Sequence, residues 1–186
     1  MTWEAVVLTG GESRRMGRDK ATLLWEGEPL WRRQTRLLQE LGPAALWISG
    51  RTRPDWIPEG LGFVADLPPS RGPLSGLAAA LTNLRAPHLL ALAVDLPWMR
   101  SRHLAQLLTM RRPGVGVAPV MDGRFEPLCA IYPREAGLAA NEALARDERA
   151  LQILVRRLVE AGQMQTYAVP AAERALYRNL NSPADF

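Results

Sequence analysis

The chain has 186 residues, of which 47% are hydrophobic and 23% charged, and its formal net charge at pH 7 is +4. This length and composition predict one globular domain over residues 1–186. No apolar stretch is long enough to cross a bilayer and no signal peptide is recognisable, so we expect a cytoplasmic protein without membrane contact. The single cysteine, Cys129, rules out an internal disulfide and fits a reducing compartment.

The chain alternates short apolar runs with amphipathic segments. Residues 4–9 predict a first buried strand, and a glycine-rich loop follows it directly. The leucines between Pro29 and Gly42 share one helical face, so they predict a helix that begins at the proline and ends at the glycine. Further strands are predicted at residues 45–48, 63–65, 89–94, 115–120, 127–132 and 165–169. Further helices are predicted at residues 74–84, from Ser101, at 136–145 and 151–161, and after Ser182.

The order of these elements determines the predicted fold class. Strands that alternate with helices form βαβ units, which give a mainly parallel sheet with helices on both faces. The strands read as nearly continuous apolar runs, as expected when both faces of a sheet are covered. The Asp122-Gly123 dipeptide predicts a tight turn that joins the strands at 115–120 and 127–132. We therefore predict an α/β fold with a mainly parallel sheet.

The loop after the first strand is the strongest candidate for a ligand site. It runs from Gly10 to Lys20 and ends at the only lysine of the chain. Glycines allow backbone N–H groups to approach an anion closely, and a lysine adds a compact charge that can follow a phosphate. The loop lacks the spacing of a Walker or dinucleotide-binding motif. It predicts a phosphate-handling site or, alternatively, a glycine-rich turn with a solvated lysine.

Two aspartates follow predicted strands. Asp66 comes after the strand at 63–65, and Asp95 comes after the strand at 89–94. In a parallel α/β sheet, ligands bind at the carboxyl ends of the strands. An isolated buried carboxylate is costly, so Asp95 must be paired, hydrogen-bonded or bound to a metal, and Mg²⁺ is the metal that suits such a site. The alternative for Asp95 is a cap on the following turn.

The basic and metal-ligating side chains are dispersed along the chain. The arginine pairs are scattered, and the tryptophans form no stacking stripe, so no nucleic-acid interface is expected. Cys129, His88 and His103 are isolated from one another in the sequence and form no zinc motif. The positive charge therefore favours a small polyanionic ligand over DNA or RNA.

Eight short motifs follow one another along the chain: Leu8-Thr9-Gly10-Gly11, Ser13-Arg14-Arg15-Met16-Gly17, Asp19-Lys20, Gly27-Glu28-Pro29-Leu30, Gly72-Pro73-Leu74-Ser75-Gly76, Asp95-Leu96-Pro97, Glu126-Pro127-Leu128 and Asn179-Leu180-Asn181-Ser182-Pro183. In this order they resemble the motifs of the molybdenum cofactor guanylyltransferases, which are nucleotidyltransferases of the GT-A-like, Rossmann-related class. The double glycine and the Asn-x-Asn-x-Pro tail indicate the guanylyltransferase branch, because the related cytidylyltransferases usually show Ala-Gly. The resemblance implies a three-layer, Rossmann-like nucleotidyltransferase fold with a mostly parallel sheet.

The resemblance also implies roles for the loop and for one strand end. Leu8, Thr9 and Gly10 would present backbone groups to the guanine and the ribose. Lys20 would contact the phosphates. Asp95 would bind a Mg²⁺ ion that bridges the phosphates of the nucleotide. Lys20 and Asp95 are therefore the implied catalytic residues.

Four further residues take roles from the resemblance. Ser49 and Asp66 would lie near the base, and Asn179 and Asn181 would face the pterin. Thr9 stands where the family usually has Ala, and Ser49 stands where a family Asn would help to read the base. A serine has fewer donors and acceptors than an asparagine, so the resemblance implies nucleotidyl transfer more firmly than the choice of GTP over CTP.

The implied reaction transfers GMP from GTP to the terminal phosphate of molybdopterin or Mo-molybdopterin and releases pyrophosphate, with Mg²⁺ as the cofactor. GTP and molybdopterin are the implied partners, and molybdenum-insertion proteins and molybdoenzymes are further candidates. One alternative is a cytidylyl- or sugar-phosphate nucleotidyltransferase of the same fold. Another is a non-catalytic protein that binds GTP without turnover.

Overall fold

The structure is a computed structural model that describes residues 1–9, 19–68, 70, 72–148 and 150–180. Within these residues, no helix is both long enough and apolar enough to cross a membrane. Strands of one sheet come from segments as far apart as Glu4 and Ala168. The division of the chain into a single domain over residues 1–186 stays a prediction.

The strands of the described residues form one large sheet and a small ribbon. Their bounds are β1 (Glu4–Leu8), β2 (Leu24–Trp25), β3 (Glu28–Pro29), β4 (Leu46–Gly50), β5 (Gly62–Ala65), β6 (His88–Ala93), β7 (Gly116–Met121), β8 (Arg124–Phe125), β9 (Cys129–Pro133) and β10 (Met164–Ala168). The large sheet has the order β10-β7-β9-β6-β1-β4-β5, and β8 pairs with β7. The ribbon consists of β2 and β3, which pair in antiparallel fashion.

The predicted mainly parallel sheet is confirmed. β1 pairs in parallel with β4 and β6, β4 pairs in parallel with β5, and β10 pairs in parallel with β7. The exception is β9, which lies antiparallel between β6 and β7. The carboxyl ends of β1, β4, β5 and β6 therefore meet at one edge of the sheet.

The predicted hairpin differs from the structure in its partner strand. The turn at Asp122-Gly123 has positive φ at both residues, 48° and 75°, which is the backbone that a two-residue hairpin of this type requires. It joins β7 to the two-residue strand β8 rather than to β9. The chain then continues through residues 126–128 before β9 begins, so β9 can cross to a position between β7 and β6.

The helices cover both faces of the sheet and form a three-layer architecture. Their bounds are α1 (Leu30–Gln39), α2 (Pro73–Asn83), α3 (Ser101–Met110), α4 (Ala136–Ala145) and α5 (Leu151–Glu160). Alternate residues of β1 face opposite layers: Ala5 and Val7 join the core beneath α1 and α3, whereas Val6 and Leu8 join the core beneath α2, α4 and α5. This double burial explains the continuous apolar strands of the sequence.

The predicted helices agree with these bounds to within a few residues at each end. Two short 3₁₀ segments, Lys20–Thr22 and Ala171–Tyr177, have no counterpart among the predicted elements. The helix start predicted after Ser182 lies outside the described residues. The 3₁₀ segments matter for function because each lies next to residues of the site described below.

Gly116 at the start of β7 provides a test of the unusual position of β9. A Cβ atom on Gly116 would lie 2.0 Å from the carbonyl oxygen of Ile131 and 2.9 Å from Cδ of Pro133, so the two strands could not keep their spacing. We expect Gly116→Ala to reduce the free energy of unfolding by about 1–3 kcal/mol, the usual range for overpacking. Chemical denaturation measures this difference.

Gly137 in α4 provides the matched control, because its Cβ would meet Leu81 only at an ordinary 3.6 Å. Gly137→Ala should be neutral or stabilise by up to about 1 kcal/mol, since alanine favours a helix over glycine. Equal effects of the two substitutions would contradict the close approach of β7 and β9.

Candidate active site

The predicted site residues come together at the carboxyl edge of the sheet. Thr9 follows β1, Asp66 follows β5, and Asp95 lies two residues beyond β6. The register pairs Leu8 with Ser49 on one side and with Ala93 on the other, so these strand ends are level with one another. The loop of residues 10–18 continues from this edge and lies outside the described residues.

Lys20 and Asp95 form the charged pair of the site. The Lys20 ammonium nitrogen lies 3.3 Å from Oδ2 of Asp95 and also donates a hydrogen bond of 2.9 Å to the carbonyl oxygen of Leu180. The backbone N–H of Leu180 donates to the carbonyl oxygen of Asp95 at 3.0 Å. Both side chains keep about a fifth of their surface exposed, 23% and 21%. The pair is thus fixed in place yet open to a ligand.

Asp19 fixes the backbone beneath Lys20. Its Oδ1 atom accepts a hydrogen bond of 3.0 Å from the N–H of Ala21 and caps the 3₁₀ turn that begins at Lys20. Its Oδ2 atom accepts a hydrogen bond of 3.1 Å from the indole N–H of Trp56. Trp56 stacks on Trp31 of α1 with ring centroids 5.2 Å apart. The end of the glycine loop is therefore held by a helix and by the loop that follows β4.

Helix α1 also fixes the turn that carries Asp95. The buried side chain of Gln34 donates to the carbonyl oxygen of Leu96 at 2.8 Å. The neighbouring Arg33 donates through Nε to the carbonyl oxygen of Pro97 at 2.7 Å. Buried polar groups need such partners, so Gln34 and the turn stabilise each other. Sequence reasoning missed Gln34 because a single polar residue on an apolar helix face carries no motif.

A second polar cluster surrounds Asp66. Its Oδ1 atom accepts a hydrogen bond of 3.1 Å from the hydroxyl of Ser49, and its Oδ2 atom accepts one of 3.0 Å from the hydroxyl of Ser70. Ser49 has no exposed surface, so its hydroxyl would affect a bound ligand through Asp66 rather than by direct contact. A Cβ on Gly76 of α2 would lie 2.3 Å from Oγ of Ser49 and 3.0 Å from Oδ1 of Asp66. Gly76 therefore leaves the space in which this cluster forms.

The remaining predicted residues are placed as follows. Leu8 is buried at the end of β1, and the hydroxyl of Thr9 donates to the carbonyl oxygen of Ser49 at 2.7 Å. The threonine at this position thus joins β1 to β4 at the edge of the site. Asn179 is exposed beside Leu180. Gly10 and Asn181 lie outside the described residues.

The donor set can be compared with the needs of Mg²⁺. No three His, Cys, Asp or Glu side chains cluster in a metal-binding arrangement within the described ranges. Asp95 keeps Oδ1 without a hydrogen-bond partner in the described part of the chain, while Lys20 occupies Oδ2. Mg²⁺ commonly takes one or two carboxylates and completes its shell with waters and substrate phosphates. The residues fit a metal held in that way.

A buried polar chain lies behind the site and was missed by sequence reasoning. Nε2 of His103 lies 2.6 Å from the hydroxyl of Tyr177, and the side chain of Tyr177 lies near the thiol of Cys129. Nδ1 of His103 lies 3.4 Å from Oε2 of Glu173. Burial raises the pKa of the Cys129 thiol well above its usual range, which disfavours the thiolate that a nucleophilic cysteine needs. The contacts of His103, Tyr177 and Glu173 instead anchor the segment that leads to Leu180.

The chain was compared with known proteins by sequence and by structure. The family described as "MobA-like NTP transferase domain" matches residues 5–165. The chain belongs to this family. A probable molybdenum cofactor guanylyltransferase of Opitutus terrae is 40% identical over 96% of this chain and 90% of that protein. A molybdenum cofactor guanylyltransferase of Xanthomonas euvesicatoria pv. vesicatoria is 36% identical over 97% and 90%.

Solved structures share the family's fold. Molybdopterin-guanine dinucleotide biosynthesis protein A from Archaeoglobus fulgidus superimposes with a TM-score of 0.70 at 22% identity and covers 98% of this chain and 94% of that one. The 2-C-methyl-D-erythritol 4-phosphate cytidylyltransferase from Thermus thermophilus gives 0.70 at 16% identity and covers 97% and 93%. At these identities the superpositions show the fold alone. The predicted resemblance and fold class are confirmed.

His103 predicts a pH dependence of stability. Burial lowers the pKa of His103 below its usual 6.5, and the nearby Glu173 carboxylate opposes this shift only in part. At a pH between the pKa of His103 in the folded protein and its pKa in the unfolded chain, the unfolded chain therefore binds more protons than the folded protein. The stabilisation is complete above about pH 6.5 and is lost as the pH falls toward the folded pKa.

We expect His103→Gln to lose less stability than the parent protein when the pH is lowered from 7.5 to 5.5. Denaturant unfolding at both pH values measures this, and each protein is compared only with itself, so a general loss of stability in the variant does not matter. Equal losses in the two proteins would show that His103 does not cause the acid sensitivity.

Proposed function

We propose that the protein is a molybdenum cofactor guanylyltransferase that transfers GMP from GTP to the terminal phosphate of molybdopterin or Mo-molybdopterin and releases pyrophosphate. The relatives that carry this name, at 31–40% identity over nearly the whole chain, support the choice of substrates. The Lys20–Asp95 pair at the carboxyl edge of the sheet is the observation that supports the chemistry. We further propose a Mg²⁺-dependent enzyme.

Lys20 has the central part in the proposed reaction. In the free protein its ammonium group neutralises Asp95. When a triphosphate and Mg²⁺ are present, Asp95 would hold the metal, which would offset negative charge on the phosphates, and the ammonium group would be free to move to a phosphate oxygen. A lysine suits this exchange because its charge is compact and its stem is flexible.

Bond formation itself makes few demands on the protein. The attacking phosphate oxygen of the acceptor is already ionised at neutral pH, so no general base is needed. Catalysis then depends on the alignment of the two phosphates and on stabilisation of charge at the leaving pyrophosphate. Lys20, which donates to the carbonyl oxygen of Leu180, would help both to align the phosphates and to stabilise the charge on pyrophosphate.

The Asp66 cluster supports the choice of guanine. Guanine presents N1–H and N2–H₂ as neighbouring donors, and a carboxylate can accept from both. Ser49 and Ser70 each donate to one oxygen of Asp66, so they orient the carboxylate. We propose that Asp66 reads the base and that Ser49 positions Asp66. The backbone of Leu8, Thr9 and Gly10 would lie along the nucleoside.

The cytidylyltransferase alternative is supported by the fold alone, since the cytidylyltransferase from Thermus thermophilus is only 16% identical. A protein that binds GTP without turnover would not require the charged pair of Lys20 and Asp95. The nucleotide preference tests the first alternative, and turnover of GTP tests the second.

A thermal-shift panel of GTP, CTP, ATP and UTP tests the nucleotide choice. We expect GTP with Mg²⁺ to stabilise the protein most, because a site that hydrogen-bonds one base rejects a base that leaves its polar groups unpaired. A ligand at about 100 times its Kd adds about 2.7 kcal/mol of stability, which such a panel resolves easily.

Two variants separate the contributions to this stabilisation. Asp66→Asn should reduce the preference for GTP over the other nucleotides while binding of the triphosphate remains. Asp95→Asn should remove the additional stabilisation that Mg²⁺ provides. Equal stabilisation of the parent protein by CTP and GTP would exclude the guanylyl assignment.

Lys20→Ala should lower kcat for GMP transfer more than it weakens GTP binding. Charge on pyrophosphate grows as the bond breaks, and only an interaction that strengthens in the transition state affects kcat. By analogy with the loss of one preorganised donor, we expect a reduction of about 100-fold, or about 3 kcal/mol. Pyrophosphate release measures the rate, and thermal shift measures GTP binding.

Lys20→Arg is the matched variant, because it keeps the charge but changes its shape. It should recover only part of the rate. Full activity of Lys20→Arg would mean that a generic positive charge is sufficient. Unchanged kcat in Lys20→Ala would contradict the proposed role altogether.

A further inference from the structure

Trp25, Trp98 and Arg178 form a small cluster beside the charged pair, called here the tryptophan–arginine cluster. The rings of Trp25 and Trp98 meet edge to face, with centroids 4.7 Å apart at an interplanar angle of 66°. The guanidinium carbon of Arg178 lies 4.9 Å from the centroid of the Trp98 ring. Both tryptophans are half-buried against the core beneath α1 and α3, whereas Arg178 is exposed. The cluster therefore has a half-buried aromatic base and an exposed cationic cover.

The cluster belongs to the same chain segments as the charged pair. Trp98 comes three residues after Asp95, in the turn that α1 holds. Arg178 comes two residues before Leu180, whose carbonyl oxygen accepts from Lys20. The contacts that hold the charged pair together thus also bring the cluster together.

The sheet order places the cluster away from the proposed base site. Trp98 follows β6, which lies on one side of β1. Ser49 and Asp66 belong to β4 and to the end of β5, which lie on the other side of β1. Asp95 of the charged pair also follows β6, and the N–H of the preceding Val94 donates to the carbonyl oxygen of Leu8 at the end of β1, at 3.1 Å. A ligand that reached the charged pair from the cluster would meet a nucleotide that reached it from Asp66.

Arg178 is not explained by an ion pair. In the described part of the chain, no carboxylate lies within salt-bridge distance of it, although Arg174, in the preceding 3₁₀ segment, pairs with Asp122. Its guanidinium N–H groups therefore remain available to an acceptor. Arginine combines planar stacking with bidentate donation, and an indole is the aromatic ring that a cation or a flat ring binds best.

We propose that the tryptophan–arginine cluster is the subsite for the ring system of the acceptor, a planar, carbonyl-bearing pterin. This inference rests on the proposed function, which requires an acceptor whose phosphate reaches Lys20 and Asp95. The flat pyrimidine part of the pterin packs on Trp98, and Arg178 moves from above the indole to the edge of the ligand, where it donates to the ring carbonyl oxygen. Trp25 keeps Trp98 in its orientation.

The test uses Arg178→Gln and Trp98→Leu, with Arg174→Gln as the control that removes an exposed arginine of the same terminal region. The first measurement is the fluorescence anisotropy of pterin-6-carboxylate, whose own emission does not depend on the tryptophans. The second is the KM for molybdopterin in GMP transfer. The third is thermal stabilisation by GTP and Mg²⁺, which should be unchanged in all three variants.

We expect Arg178→Gln and Trp98→Leu to weaken pterin binding and to raise the KM for molybdopterin by about tenfold or more, equivalent to about 1.4 kcal/mol. Arg178→Lys should recover part of the loss, and Arg174→Gln should match the parent protein. Unchanged pterin binding and KM in both cluster variants would overturn the inference. Loss of GTP stabilisation in their place would also overturn it, because the cluster would then belong to the nucleotide.

The same experiment separates the inference from the proposed function. If the parent protein binds pterin-6-carboxylate through the cluster but transfers no GMP to molybdopterin, the proposed function fails and the pterin subsite stands. If the parent protein transfers GMP and the cluster variants do so with an unchanged KM, the function stands and the subsite is overturned.

Discussion

The ammonium group of Lys20 joins three segments that are far apart in the sequence. It lies against the carboxylate of Asp95, 75 residues away, and against the carbonyl oxygen of Leu180, 160 residues away. The 3₁₀ turn that begins at Lys20, the turn after β6 and the segment that ends at Leu180 all meet at this one nitrogen atom. A partly exposed ion pair adds little to stability by itself, so its value lies in geometry.

The rest of the molecule supports this arrangement from behind. Asp19 holds the turn under the lysine, and Gln34 holds the turn under the aspartate. Gln34 belongs to α1, and Asp19 is connected to α1 through Trp56, which donates to its other oxygen and stacks on Trp31. Helix α1 therefore serves as the rigid support for the two charges, while the strands determine only where their segments begin.

The sequence was informative about polar side chains that stand at the end of an apolar run. Asp66 and Asp95 could be singled out because charge next to a buried strand needs a reason, and Lys20 because it is the only lysine and ends a glycine-rich loop. The sequence was uninformative about contacts that a backbone atom makes. The carbonyl oxygen of Leu180 has no signature in the sequence, and neither has the space above Gly76.

The fold shows the same division. The parallel strands could be predicted because their burial on both faces leaves continuous apolar runs. The antiparallel strand β9 is equally apolar, and its direction is decided by the short chain between β8 and Cys129, which no pattern of hydrophobicity encodes. The placement of His103 against Tyr177 depends on α3 and a 3₁₀ segment, and the two residues are 74 positions apart, so it too arises only in three dimensions.

The buried thiol of Cys129 gives the protein a built-in reporter. It is the only cysteine of the chain, it has almost no exposed surface, and it lies near Tyr177, which precedes the segment leading to Leu180. A thiol reagent can reach it only when that segment detaches or the sheet opens. The rate at which the native protein is alkylated would therefore record how often the C-terminal segment leaves the lysine, without any label or substitution.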